Sequence, residues 1–207
     1  MQRDYRVISG CLLVVGVLTV LFGIMIGEFE YPGYSVAQNA LSDLGATCRA
    51  GVCRVYTPSS YLFNGSLLIT GALVALSSAF MYRVFRSRLL STLLGIAGAA
   101  AFGVGIFPES AGSIHGELAG ITFLAMGLAA IYSLRYVSLP MKLLSVILGG
   151  LTVVLAVLFE MGLYFSFGFG GMERLVVYPT LFWGLIFGGY LINLGTNIVN
   201  PTQSDSR

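Results

Sequence analysis

Six separate stretches of this chain run for about 20 residues with almost no charge, the length a helix needs to cross the hydrocarbon of a bilayer. They fall at 7–27, 61–82, 89–107, 115–137, 141–167 and 175–195. A backbone immersed in lipid must satisfy its own hydrogen bonds, so apolar segments of this length cross as helices. The expected class is all-α: a polytopic membrane protein, one domain of six transmembrane helices in an antiparallel bundle. Composition agrees, since 57% of the 207 residues are hydrophobic and 10% charged, against about 25% charged in a soluble domain. Too little charge remains to cover a water-facing surface, which excludes soluble, disordered and fibrous classes. A net charge of +2 without any Lys/Arg block excludes a nucleic-acid partner. The first stretch reads as a span rather than a cleaved leader, because no small-x-small site precedes Glu28 and Glu30.

Basic residues in the short loops set orientation. With a cytoplasmic N-terminus, that side holds eight of them (Arg3, Arg6, Arg83, Arg86, Arg88, Arg135, Lys142 and Arg207), and the other side holds three, Arg49, Arg54 and Arg174. The expectation is a multi-pass protein of the cell membrane with both termini cytoplasmic and the loop 28–60 extracellular. Segment 201–207 reads as a flexible tail. Most acidic residues gather at the outer side: Glu28, Glu30, Asp43, Glu109, Glu117, Glu160 and Glu173. Glycines recur at small-xxx-small spacing, as in Gly23/Gly27, Gly95/Ala99/Gly103, Gly112/Gly116/Gly120 and Gly184/Gly188. Such rows let helix backbones approach closely; internal packing is the first reading and a homodimer face the second.

The loop 28–60 is the one long connection, and it has helical signals. Ser35 and Gln38 form an S-x-x-Q capping box, Val36, Ala40, Leu41 and Leu44 recur at helical spacing, and Gly45 suits a C-terminal cap. A short helix over 36–44 is expected, a lid whose other face carries Asn39, Ser42 and Asp43. Cys48 and Cys53 share the loop, and outside the cytoplasm such a pair can oxidise to a disulfide. Cys11 reads as a small buried hydrophobe. No CxxC or His/Cys cluster exists, so no metal site has support, and no cofactor is indicated.

The candidate site is assembled from polar residues at the outer rim. His115, the single histidine, stands at the mouth of the fourth span as a candidate acid/base. Glu160, read as lying inside the fifth span, would need a partner in the bundle interior, and serves as a second acid. Asp43 is a candidate orienter and Ser42 a candidate nucleophile. Asn39, Asn64, Glu173 and Arg174 are candidate ligand-binding groups, Arg174 gripping an anion through its planar fork or neutralising Glu160 or Asp43. Glu117 ranks lower, because a carboxylate in a first helical turn is already favoured by the helix dipole. G-x-S-x-G, P-loop, Rossmann, EF-hand and H-E-x-x-H patterns are absent.

Tyr34-Ser35, Asn39-Ala40-Leu41-Ser42-Asp43-Leu44-Gly45, Phe63-Asn64, Phe107-Pro108, His115-Gly116 and Glu173-Arg174 form an ordered series at outer helix ends. The series resembles the six-span membrane family known as domain of unknown function 998, over about 7–195. It is more loosely similar to six-span Frag/DRAM-like proteins. The resemblance implies the six-span fold and brings no reaction with it. Three functions are weighed: an outward-facing polar pocket that binds, and in the stronger form hydrolyses, a membrane lipid or other amphipathic molecule; a non-enzymatic scaffold in which the polar cluster is structural; and, third, a small-molecule transporter.

Overall fold

The computed structural model describes residues 2–196; the tail 201–207, with Asp205 and Arg207, lies outside the described residues. Six long helices are present: α1 (Gln2–Glu30), α2 (Ser59–Phe85), α3 (Arg88–Ile106), α4 (Ser113–Ser133), α5 (Met141–Glu160) and α6 (Gly168–Thr196). All six are long and apolar enough to span a membrane. Each packs on its chain neighbours, and α6 returns against α1, so the helices close into a ring. An even number of crossings leaves both ends of the described chain at one end of the bundle. The connections 31–58, 107–112 and 161–167 meet at the other.

Backbones touch where glycines face each other. A Cβ on Gly10 of α1 would sit 2.5 Å from the Gly188 carbonyl oxygen of α6, and one on Gly71 would sit 2.3 Å from the Phe102 nitrogen. Buried hydroxyls add interhelical ties of the kind that hold helices in lipid. Ser9 and Ser77 share a 2.9 Å hydrogen bond, Thr152 and Thr180 one of 3.1 Å, and Trp183 Nε1 donates to Ser145 Oγ at 3.1 Å. Trp183, Phe187, Leu90, Leu94 and Met81 fill the core toward the termini. Near the opposite end, Val20, Ile24, Phe63 and Leu181 pack with Leu41 and Leu44 from the long connection. Large apolar side chains such as Phe22, Leu76, Ile96, Val154 and Phe182 are left on the outside.

The long connection does not form the helix expected over 36–44. Residues 36–38 make one turn, and a three-residue 3-10 turn follows at Ser42–Leu44. The helical ladder is displaced by side chains. The Val36 and Asn39 carbonyls accept from Arg174 Nη1, each at 3.0 Å, and the Ala40 N–H donates to Asp43 Oδ2 at 2.9 Å. Nor does Gln38 close a capping box; the Ser35 N–H donates to Asn39 Oδ1 instead, at 3.0 Å. Beyond it lies a hairpin, β1 (Thr47–Arg49) with β2 (Val52–Arg54), in which Cys48 and Cys53 pair directly and form a disulfide. Ala50 and Gly51, with φ of 50° and 78°, make its two-residue turn, the geometry that suits strand twist.

Two span limits also differ from expectation. α5 stops at Glu160, not at 167, because Gly162 (φ 73°) provides a left-handed cap. The Leu163 N–H donates to the Leu158 carbonyl at 3.0 Å and the Gly162 N–H to the Phe159 carbonyl at 2.9 Å, the paired bonds of a Schellman end. Glu160 is therefore an exposed residue at a helix terminus, not a carboxylate buried within a span. α6 begins at Gly168, seven residues before the expected 175, and carries Glu173 and Arg174 in its second turn.

Candidate functional site

Two groups of polar residues occupy the capped end, and they do different things. The first fastens the connection 31–58 to the bundle. Arg174, 6% exposed, donates from Nη1 to the carbonyls of Val36, Asn39 and Gly170 and from Nη2 to Glu28 Oε1 at 2.7 Å and Tyr34 Oη at 2.6 Å. Tyr34 passes its own proton to the Ala40 carbonyl at 2.8 Å; burial holds its phenol above the ordinary tyrosine range, against the pull of the Arg174 charge. Arg174 thus pairs with Glu28 rather than Glu160 or Asp43, and its donors are committed within the chain. Gly168 and Gly170 make this fit, since a Cβ on Gly170 would lie 2.0 Å from the Asn39 carbonyl oxygen. Asn64 donates weakly to the Gly45 carbonyl, at 3.4 Å, and ties the connection to α2.

Asp43 belongs to this fastening group. It is 1% exposed, and its Oδ2 accepts from Asn39 Nδ2 at 3.0 Å, the Ala40 N–H, and Arg49 Nη2 at 2.6 Å. Arg49 also reaches Glu109 Oε1 at 3.2 Å, so one guanidinium bridges two carboxyls. Asp43 Oδ1 and Glu109 Oε2 are both buried without a donor from any other group. Burial first, and then the Asp43 charge, push the Glu109 carboxyl up to about 7, against the pull of Arg49.

The second group faces open space. A cavity of about 240 Å³ is lined by Ser42, Glu109, His115, Glu160, Glu173 and the rings of Phe123, Phe159 and Phe169. Its floor is the glycine row that runs from the cap of α4 into its first turns: a Cβ on Gly112 or Gly116 would meet nothing within 4 Å, and one on Gly120 only Glu160 Oε1 at 3.9 Å. These glycines, unlike Gly10 or Gly71, leave room instead of permitting contact. A second cavity of about 100 Å³ runs between α1, α2, α3, α4 and α6, and its walls are almost wholly apolar, from Ile24 and Phe63 down to Leu13 and Val74. The two cavities share Ser42, His115, Ala119, Phe123 and Glu173.

His115 sits at that junction, 9% exposed. Its Nδ1 lies 2.8 Å from the Phe107 carbonyl oxygen. A carbonyl only accepts, so Nδ1 carries the proton and Nε2 presents a lone pair. Nε2 has no hydrogen-bond partner among the described residues. The group that orients the imidazole is therefore the end of α3 and not Asp43. Glu173 accepts from the Leu41 N–H, and the Ser42 N–H and hydroxyl also turn to it. The structure thus brings Ser42, His115, Glu160 and Glu173 around one cavity and places Asn39, Asp43, Asn64 and Arg174 in the fastening of the connection. Glu117 is exposed. No group of three or more potential metal ligands occurs among the described residues.

Sequence reasoning did not select Glu109, Arg49, Phe159 or Phe169. Glu109 carried a signal, an acid after Pro108 where two spans meet; the phenylalanines had none to separate them from other apolar residues.

A closed ring of six membrane-spanning helices, with a disulfide-bearing connection covering one end and a polar cavity beneath it, defines the class: an integral, polytopic α-helical membrane protein. The family model described as Protein of unknown function (DUF998) matches residues 14–190, and the chain belongs to that family. No curated protein and no solved structure matches it.

Proposed function

We propose that the protein binds an amphipathic molecule, in the first instance a membrane lipid, with its head group in the polar cavity and its chain in the apolar one. The observation that carries this reading is the change in lining at Ser42, His115 and Glu173, where a carboxylate-rich space adjoins an apolar one. From Ile24 to Leu13 the apolar cavity follows α1 for about 16 Å. A scaffold role accounts for Arg174, Asn39, Asp43 and Asn64. It gives no reason for a histidine lone pair beside an open cavity floored by glycine. Transport has less support, since Trp183, Phe187, Leu90 and Leu94 fill the bundle below. The basic residues of the sequence favour cytoplasmic termini and an outward-facing cavity.

Gly116→Leu tests the reading. The added side chain enters the polar cavity, where no atom lies within 4 Å of the new Cβ, so the fold is retained. Native mass spectrometry of protein released from nanodiscs should find lipid retained by the wild type and lost by the variant. Equal retention would overturn the proposal.

One observation favours hydrolysis of the bound amphipath as a second reading: the His115 tautomer, which leaves Nε2 free to take a proton in a cavity that Ser42 also lines. In that reading the Ser42 hydroxyl turns from Glu173 toward His115, Ser42 Oγ attacks an ester or amide carbonyl, its proton passes through His115 to the leaving group, and water releases the acyl chain. Ser42→Ala and His115→Ala should then retain binding and lose turnover.

A further inference from the structure

Resting on the amphipath reading, we propose that the polar cavity selects a protonated amine as the head group. Its charged lining is acidic: Glu109, Glu160 and Glu173 face it, and no Lys or Arg lines either cavity. An anionic head would meet like charge with nothing to pair it. The walls are also rich in acceptors and poor in free donors. His115 is a buried residue of the lining whose Nε2 accepts no hydrogen bond among the described residues, Glu160 makes no ion pair among them, and the Ser42 hydroxyl is already turned to Glu173. An ammonium supplies several N–H donors and a positive charge at once.

The remaining walls suit the same ligand, because the rings of Phe159 and Phe169 attract a cation over their faces. The chain itself provides a precedent at the rim. The Arg49 guanidinium lies 5.8 Å from the Phe169 ring centroid and 3.2 Å from Glu109 Oε1, a cation held between one of these carboxylates and one of these rings. Arg49 does not neutralise the cavity. It also serves Asp43 at 2.6 Å, so its single positive charge is divided between two carboxyls.

The test uses four probes on the full chain in nanodiscs of zwitterionic lipid at mildly alkaline pH, with protein-free nanodiscs subtracted: dodecylamine, dodecanol, dodecanoate and ethylamine. Calorimetric titration should find dodecylamine bound about tenfold more tightly than dodecanol, and dodecanoate weakest. Glu160→Gln, at an exposed helix end where folding is not at stake, should bring the amine toward the alcohol and leave the alcohol unchanged. Equal binding of amine and alcohol, tighter binding of dodecanoate, or an unchanged preference in Glu160→Gln would overturn amine selection while leaving the amphipath reading intact. Ethylamine binding as tightly as dodecylamine would support the amine site and refute the need for a chain. Failure of all four probes to bind would refute both.

Discussion

Arg174 is the residue on which the covered end depends most. Its five donor contacts hold two turns of the connection and the end of α1 against α6. Arg174→Ala would leave Glu28 without its cation and three carbonyls without donors. Loss of about 3 kcal/mol is expected, read as a lower melting temperature in detergent, with Arg174→Lys recovering little because an ammonium cannot fork across these positions. Glu109 gives a pH signature. Its carboxyl stands near 7, above the unperturbed 4.5, so the folded form holds a proton that the unfolded chain releases earlier. Its contribution to stability is full below about 4.5 and is lost as pH rises through about 7. Asp43, Arg49 and Glu173 act on it, with His115 and Glu160 across the cavity. Melting temperatures across that range should fall in the wild type and stay flat in Glu109→Gln. At this scale the sequence was only half legible. It pointed to the right rim, but residue type alone could not tell that Arg174 is consumed by backbone carbonyls while Glu160 is left open.

Among the elements, the six spans were legible because lipid imposes a length and an apolarity that few other segments meet. The places where reading failed are those where a distant side chain decided the backbone. The stripe at Val36, Ala40, Leu41 and Leu44 is a fair helical signal, yet Arg174, more than a hundred positions away, takes the carbonyls that a helix would use. The end of α5 is a different case, since Gly162 stood in the sequence as a stop signal and apolar residues on either side concealed it. Gly162→Ala should cost about 1 kcal/mol by forcing a Cβ into the left-handed region. Gly116→Ala, in open space within a helix, should be neutral or slightly stabilising. Thermal melting of the two variants side by side checks the contrast. The hairpin announced itself in Cys48 and Cys53, with Ala50-Gly51 between them, and was read only as a disulfide.

For the molecule as a whole, orientation is the property that decides what the cavity can meet. With cytoplasmic termini, a cysteine placed at Arg54 should react with a membrane-impermeant maleimide added to intact cells, in a Cys11→Ser background. One placed at Ser138 should react only after the membrane is opened. The opposite pattern would invert the topology.

The ring has its own implication for biogenesis. Helices emerge from the ribosome in order, and the groups that pin the connection after α1 reside on α6, the last helix to be made. For most of synthesis that connection rests on α1 and α2 alone, without its Arg174 anchor, and the wall of the cavity contributed by Glu173 does not exist. A nascent chain arrested before α6 would therefore have its cysteines in place while the neighbouring turns remained open to proteases, and maturation would be complete only when α6 inserts beside α1.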